Sequence, residues 1–395
     1  MQSVAAKYSH DEIGVSISDR YTNEEAYAIK TMAEAMGAKV FSMNNRKSGL
    51  KAVIGHDASP NTIDELLSTN LILAVGFNTV DNPIISLKMK EAAEAGAQTI
   101  LVNPSDYPQH INGLSKAVYR DDLGFLKEIA KAVLDSGKAV KAEGYDEFAA
   151  SLADVKVSEE AAEIAQAYMN AKKAMIVFNQ NLVSTETAAL IADLALISGH
   201  IGSPRDGILQ VKAKNNSQGL VDMGITEGAE ELEGLKALFV FGEEFEIDRD
   251  SLEFLAVCDT HMTPLAAKAD VVIPGTGFAS TDGTYTNTER RLQLVEAAID
   301  EDVELSNWEV AAEIAAIFEV ELPWEDTVDI SREMDDCVPA YKYGEVGEIL
   351  GGVLVPVEPK LAVVEGDKFA DPIKCTDSLM NVIAERLPKM VSPTK

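Results

Sequence analysis

The sequence predicts an α/β fold of parallel, doubly wound sheets carrying an extended C-terminal arm. Three observations predict it. Short apolar runs repeatedly lead through a glycine or polar turn into an amphipathic helix. Leucine, alanine and valine outweigh the aromatic residues, at 6%, which suits helices packed on sheets. With 395 residues, 46% of them hydrophobic, the chain can bury more than one core.

The elements follow in order. Ile13–Ser18 reads as a buried strand, and Thr22 with Glu25 three residues on forms a capping box that opens a helix ended by Gly37. Lys39–Phe41 is the next strand. Thr62 and Glu65 suggest a second capped helix over Asn61–Ser68. Leu71–Val75 is a strand ending in Gly76-Phe77-Asn78; a helix over Ile84–Ala95 stops at Gly96; Thr99–Val102 is a strand ending in Asn103-Pro104-Ser105. Helices are expected over Leu123–Leu134 and Glu159–Asn170, a strand over Ala174–Phe178, and a helix over Thr185–Ser198 ended by Gly199. Residues 201–234 show little periodicity and read as a long functional loop. Leu235–Phe241, Leu255–Asp259 and Val271–Pro274 resume the strand pattern. Between Glu296 and Asp336 fifteen carboxylates accompany one basic residue, Arg332, and Trp308, Val310, Ile314 and Phe318 give that stretch an apolar stripe, so it reads as a solvated helical face. Beyond Gly344 the chain is rich in Gly, Val and Pro, with a helix expected only at Ser378–Leu387. An arm of this kind cannot bury its apolar side chains alone; a partner subunit is expected to cover it, the alternative being an arm folded back on the chain's own domains.

Composition removes several functions. Lys plus Arg number 34 against 65 Asp plus Glu, a formal net charge of −31, which argues against nucleic acid and anionic lipid. No apolar run reaches membrane-spanning length, and the N-terminus lacks a secretory pattern, so membrane insertion is not expected and the cytoplasm is the expected compartment. Cys258, Cys337 and Cys375 lie far apart, with no Cys-x-x-Cys, and read as small core residues. The five histidines are isolated, so no metal site is expected from local motifs; His261 reads as a surface histidine.

In doubly wound sheets ligands sit at the carboxyl ends of strands. Here those ends carry Ser18-Asp19-Arg20, Gly76-Phe77-Asn78, Asn103-Pro104-Ser105, Asn179-Gln180-Asn181 and Gly242-Glu243. All are polar or glycine, as a nucleotide-lined crevice needs, and each also suits a plain turn. The Asn and Asp residues at 215–222 can contact a ligand or make Asx turns.

Two segments carry a resemblance. The first is Ala192–Gly202, followed by Asn215-Asn216-Ser217-Gln218-Gly219 and Asp222-Met223-Gly224. The second is Ala269–Pro274, then Asp282-Gly283-Thr284-Tyr285-Thr286-Asn287-Thr288-Glu289-Arg290-Arg291. Together they resemble the molybdopterin oxidoreductase family, above all formate dehydrogenase large subunits and the pterin-fold subunit of NADH:quinone oxidoreductase (complex I). The resemblance spans roughly residues 10 to 320. It implies two intertwined Rossmann-like domains, residues 1–41 with 219–330 and the inserted 42–218, followed by the arm, 331–395. It places a degenerate pterin crevice at Gly76, Asn78, Asn215, Asn216, Gln218, Asp222, Asn287, Glu289 and Arg290.

Departures from the family shape the functional expectation. The metal ligand of active members falls in Ser42–Ser48, where no cysteine stands and neither serine is expected to replace it. Lys212-Ala213 stands for the Arg-Gly that serves substrate in formate dehydrogenases, and lysine does not replace a bidentate arginine. The cysteine-rich cluster segment and the closing C-terminal domain have no counterpart. A metal-free scaffold without catalytic residues is therefore expected, in an NADH-linked assembly of the complex I, bifurcating-hydrogenase or transhydrogenase kind. No cofactor is expected in this chain; iron–sulfur clusters and flavin are expected in partner subunits or an upstream domain. The alternative is a fragment of a molybdenum or tungsten formate dehydrogenase catalytic subunit, and a third reading is a nucleotide-binding protein using the crevice for another ligand. Arg291 is expected to pair with the acidic stretch downstream.

Overall fold

This computed structural model describes residues 4, 7–43, 45–79, 81–104, 115–226, 228–300, 302–350 and 359–365. The chain opens with β1 (Ile13–Ile17), whose five residues are all buried, and turns at once into helix α1 (Asn23–Ala35). The capping box is present: Thr22 accepts from the Glu25 N–H, and Glu25 accepts from the Thr22 N–H. After β2 (Lys39–Phe41) the chain leaves this sheet, and α2 (Leu50–Ile54) begins an inserted half. That half comprises β3 (Leu71–Val75), α3 (Pro83–Glu94), β4 (Gln98–Asn103), β5 (Lys116–Tyr119), α4 (Asp122–Asp135), α5 (Tyr145–Ser151), α6 (Glu159–Asn170), β6 (Ala174–Asn179), α7 (Thr185–Ser198) and β7 (Gly207–Val211). Helix α8 (Ser217–Asp222) leads back to β8 (Ala237–Phe241), β9 (Phe254–Asp259) and β10 (Val271–Pro274) of the first sheet. An antiparallel hairpin of β11 (Gly283–Thr286) and β12 (Leu292–Val295) follows, then α9 (Asn307–Ile317) and α10 (Thr327–Cys337).

Both five-stranded sheets are wholly parallel, in the orders β10-β9-β8-β1-β2 and β5-β4-β3-β6-β7. Strand order therefore reverses beside β1 in the first and beside β3 in the second, and those switch points open the crevices in such sheets. This confirms the predicted α/β, doubly wound class. One core joins α4, α6 and α7 to one face of the second sheet; another joins α1, α9 and α10 to the first.

Four expectations change. Asn61–Ser68 is not an α-helix; only a 3-10 turn forms at Asp64–Ser68. Glu65, expected to complete the cap with Thr62, instead accepts from Asn61 Nδ2 at 2.7 Å and from the Arg205 N–H at 3.0 Å, while Asn61 also accepts from the Ile208 N–H at 3.0 Å. Residues 201–234 are not one loop, because they supply β7 and α8. The cysteines divide: Cys258 is buried, Cys337 is exposed, and Cys375 lies outside the described residues.

The extended arm is corrected for its described part. Residues 331–337 belong to α10, which buries Ile330, Ser331 and Met334 on the first core, joined there by Val338, Tyr341 and Leu350. Leu361, at 5% exposure, enters the core of the inserted half. Among the described residues of the arm, Val338, Tyr341, Leu350 and Leu361 find cover on the chain's own halves, while Val363 stays exposed. The helix expected at Ser378–Leu387 lies outside the described residues. Among the described residues no helix is long and apolar enough to cross a membrane.

Candidate functional site

The crevice is bounded by the carboxyl ends of both sheets. At the end of β3, Gly76 takes φ +50°, a left-handed conformation suited to glycine, and a Cβ there would come within 2.4 Å of Val183. Asn103, at the end of β4, holds the next residue from both sides: its Oδ1 accepts from the Phe77 N–H at 2.9 Å and its Nδ2 donates to the Phe77 carbonyl at 2.9 Å. Asn78 donates to Asp81 at 2.6 Å.

Across the crevice Asn216 is fully buried. Its Nδ2 donates to the Tyr21 carbonyl at 2.8 Å, and its Oδ1 accepts from the Thr286 N–H at 2.9 Å. Asn215 is exposed and donates to the Arg20 carbonyl at 3.2 Å. Ser217 donates to Asp19 at 2.5 Å; burial raises the Asp19 carboxyl above its ordinary range.

The Thr284–Arg291 run, which carries the family resemblance, has a structural role at nearly every position. Thr284 donates to Glu24, and Asn23 donates to both Thr284 and Thr286, fixing β11 to α1. Asn287 Oδ1 accepts from the Glu289 and Arg291 N–H groups at 3.0 and 2.8 Å, shaping the tight turn in which Arg290 takes φ +65°. Glu289 accepts from the Ile63 N–H at 2.7 Å, and Arg290 donates through Nε to the Ser59 carbonyl at 3.0 Å. Burial lowers the Arg290 guanidinium to about 10. These bonds stitch the first half to the inserted one. Arg291 pairs with Glu289 at 2.8 Å and donates to the Gly347 carbonyl, so the pairing expected with the acidic stretch does not form. His200, quoted with the first motif, sits between Asp206 at 2.6 Å and the Tyr168 carbonyl at 2.8 Å and fastens the end of α7.

A buried polar network that sequence reasoning largely missed lies behind α8. Lys212 Nζ donates to Asp57 at 3.0 Å, with side-chain exposures of 1% and 9%. Asp57 also accepts from the Ser48 N–H at 2.8 Å and from Gln210 Nε2 at 3.1 Å, and Gln210 donates to Gln180 at 3.1 Å. Gln218 donates to Asp222 at 2.8 Å; burial pushes the Asp222 carboxyl up to about 6. The Oε1 atoms of Gln210 and Gln218 are buried without a partner, so the network has acceptors to spare. The available signal was a lone glutamine inside the apolar strand Gly207–Val211. Lys212→Met should lower the unfolding free energy by about 3 kcal/mol, because it leaves the Asp57 carboxylate buried without its counter-charge. Urea titration reads this, and the double variant with Asp57→Leu should recover much of the loss; a Lys212→Met midpoint equal to wild type would contradict it.

Ser42, in the segment where the resemblance puts a metal ligand, is fully buried. Its hydroxyl donates to Glu243 Oε1 at 2.9 Å. Glu243 also accepts from Ser16 and from the Met43 N–H at 3.1 Å, and burial pushes its carboxyl up to about 7.

Of the predicted site residues, Asn215 and Asn287 share a cavity of about 300 Å³ with Asn82, Lys212 and Lys214. Asn216, Glu289 and Arg290 instead bind protein atoms, and Gln218 and Asp222 belong to the buried network. A second cavity of about 90 Å³, lined by Arg20, Tyr21, Asp259 and Tyr285, opens at the carboxyl ends of the first sheet. Among the described residues no three His, Cys, Asp or Glu side chains cluster as a metal site.

Comparison with known proteins fits this architecture. The F420-dependent formate dehydrogenase 2 subunit alpha of Methanococcus maripaludis is 26% identical, over 93% of this chain and 67% of that protein. Formate dehydrogenase H of Escherichia coli is 24% identical, over 89% and 60%. Acetylene hydratase from Pelobacter acetylenicus shares the fold with TM-score 0.66 at 12% identity, covering 91% of this chain and 64% of that one. A chain of the formyltransferase/hydrolase complex from Methylorubrum extorquens gives TM-score 0.53 at 16% identity, covering 80% and 94%. The chain thus spans about three-fifths to two-thirds of the formate dehydrogenase relatives named here. Residues 1–317 match the molybdopterin oxidoreductase family model, and the chain belongs to that family.

Proposed function

We propose that this chain is the pterin-fold subunit of a formate-dehydrogenase-type redox assembly, and that it holds no metal–pterin group itself. The relatives' names move the assembly from a complex I type toward a formate dehydrogenase type. The observation that carries the metal-free reading is Ser42, whose hydroxyl is committed to the buried Glu243 carboxyl. The residues present do not fit the group: Lys212 is sealed against Asp57, and both ends of the Asn216 amide bind backbone. The retained Asn-Asn and Thr-Asn-Thr-Glu-Arg-Arg motifs need no ligand to explain them, since they join the halves. The domain limits proposed are 1–41 with 219–330, and 42–218. Flavin, NADH-binding and iron–sulfur subunits are the proposed partners, and the cytoplasm the proposed compartment.

A catalytic fragment of a molybdenum or tungsten formate dehydrogenase is the second reading, favoured by relatives named as formate dehydrogenase alpha subunits that extend beyond this chain's length. The deciding experiment is purification of the native assembly, with subunit identification, metal analysis, fluorescence of oxidised pterins and a dye-linked formate assay of this subunit. We expect redox subunits to co-purify, and neither metal, pterin nor formate oxidation on this chain. Near one equivalent of molybdenum or tungsten on it would establish the second reading instead.

A further inference from the structure

Residues 360–364 dock on α5 and α7 of the inserted half. The Lys360 N–H donates to the Val53 carbonyl at 3.0 Å, the Leu361 N–H to the Glu143 carbonyl at 2.8 Å, and the Ala362 N–H to Asp193 Oδ1 at 3.1 Å. Leu361 is buried in the core that Phe148 and Leu152 share. Gly144 permits the close approach: it takes φ +81°, and a Cβ on it would come within 2.3 Å of the Leu361 carbonyl oxygen. Asp193, on α7, is 1% exposed and lines a cavity of about 30 Å³ that Ala362 and Val364 also line. Among the described residues the Ala362 N–H is the one hydrogen-bond donor to its carboxyl. The other titratable side chains of that cavity are Lys127 of α4 and Glu186 of α7, and they pair with each other at 2.7 Å. The cavity wall from α5, Phe148 and Ser151, carries no charge, and Lys360 and Glu365 at the ends of the segment are exposed.

We propose that residues 360–364 form a proton-gated latch on the inserted half, docked while the Asp193 carboxyl carries its proton and released as it ionises. A neutral carboxyl tolerates this apolar setting with one N–H donor. An ionised one needs several donors. Lys127 is taken by Glu186, so water must supply the rest, and water reaches Asp193 when the segment lifts away. Burial pushes the docked carboxyl from 3.8 up to about 8, against the Ala362 N–H, which favours the ionised form. With the segment released, the carboxyl returns toward its ordinary value. Between the two values the docked state holds a proton that the released state has lost, so each pH unit favours release by about tenfold. Docking is therefore strongest below about pH 4 and weakens up to about pH 8. Release uncovers the apolar surface of Phe148 and Leu152 on which Leu361 packs.

Amide hydrogen exchange of the wild-type chain tests this, read as protection factors at Leu361 and Ala362 and, for comparison, at the fully buried Phe178 of β6. Protection at Leu361 and Ala362 should fall about a hundredfold between pH 5 and pH 7. At pH 7 Phe178 should remain about tenfold or more better protected, as release of the segment alone requires. Asp193→Asn stays neutral and keeps an acceptor for the Ala362 N–H, so its protection at Leu361 and Ala362 should hold level over the same range. Should that variant not fold, the wild-type slope and the Phe178 comparison decide alone. Wild-type protection that does not change with pH would overturn the proposal, as would a fall that persists in Asp193→Asn, or Phe178 losing protection in step with Ala362.

Discussion

Replacing Glu24 by alanine is expected to lower the unfolding free energy by about 3–4 kcal/mol. Glu24 is wholly buried at the start of α1. Its carboxyl accepts from the Thr284 N–H at 2.6 Å, the Thr284 hydroxyl at 2.8 Å, the Ser331 hydroxyl at 2.7 Å and the Tyr341 hydroxyl at 3.0 Å. These donors come from β11, α10 and the turn after α10, so one side chain gathers three later segments onto the first helix. Alanine leaves the buried Thr284 N–H without an acceptor and strips the three hydroxyls of their carboxylate, with only the Ser331 to Thr327 carbonyl and Thr284–Tyr341 contacts remaining, and each lost partner costs about 1–3 kcal/mol, less where a hydroxyl keeps another. Glu24→Gln keeps an acceptor oxygen and should fall between alanine and wild type. Urea unfolding followed by circular dichroism reads the order. A loss below about 1 kcal/mol for Glu24→Ala would show that this cluster does not hold the hairpin and α10 to the core.

Stability should also fall by about 3 kcal/mol between pH 6 and pH 8. Burial pushes the Asp193 carboxyl from its ordinary 3.8 up to about 8, and the Glu243 carboxyl from 4.5 up to about 7. Between the ordinary and the raised values the folded chain keeps protons that the unfolded chain has released. The folded state then binds more protons, so raising the pH favours unfolding; the contribution is complete below about pH 4 and gone above about pH 8. Each retained proton is worth about 1.4 kcal/mol per pH unit, giving about 2 kcal/mol from Asp193 and about 1 from Glu243 across this window. Asp193→Asn, whose Oδ1 can still accept from Ala362, should remove the larger part of the slope, and the double variant with Glu243→Gln should flatten it. Wild-type stability that holds level or rises from pH 6 to pH 8 would refute the assignment.

Where local chemistry dominates, the sequence was sufficient. Helices Glu159–Asn170 and Thr185–Ser198 begin at serine caps, and Gly199 ends the second in the left-handed region. The strands Leu71–Val75 and Val271–Pro274 also agree with the pattern of apolar runs. Where long-range partners decide, it was not. Gln210 lies in a strand because β7 pairs with β6 in register, Phe178 opposite Gln210, and Ser59, 151 residues away, donates to its carbonyl and accepts from its N–H on the open edge. Thr62 and Glu65 look like a helix start, and instead Glu65, with Asn61, binds the 203–208 segment. Part of the candidate site was legible as residue identity: Asn216, Gln218, Glu289 and Arg290 were singled out. Their geometry was not, because nothing local shows that Asn216 bonds Tyr21 and Thr286, or that Arg290 reaches Ser59.

The sequence by itself determined the doubly wound class, the resemblance to the molybdopterin oxidoreductase family and the absence of a cysteine at the metal-ligand segment. These rest on periodicity, turn chemistry and residue identity, which are local. Only the tertiary structure decided that the motif run is a seam between halves, that Ser42 is bound to Glu243, and that Met334, Val338, Tyr341 and Leu350 pack on one core and Leu361 on the other. The reason is the same in each case. A buried polar group or an apolar side chain must find its partner somewhere, and which part of the chain supplies it is fixed by packing across more than a hundred residues rather than by neighbours in sequence.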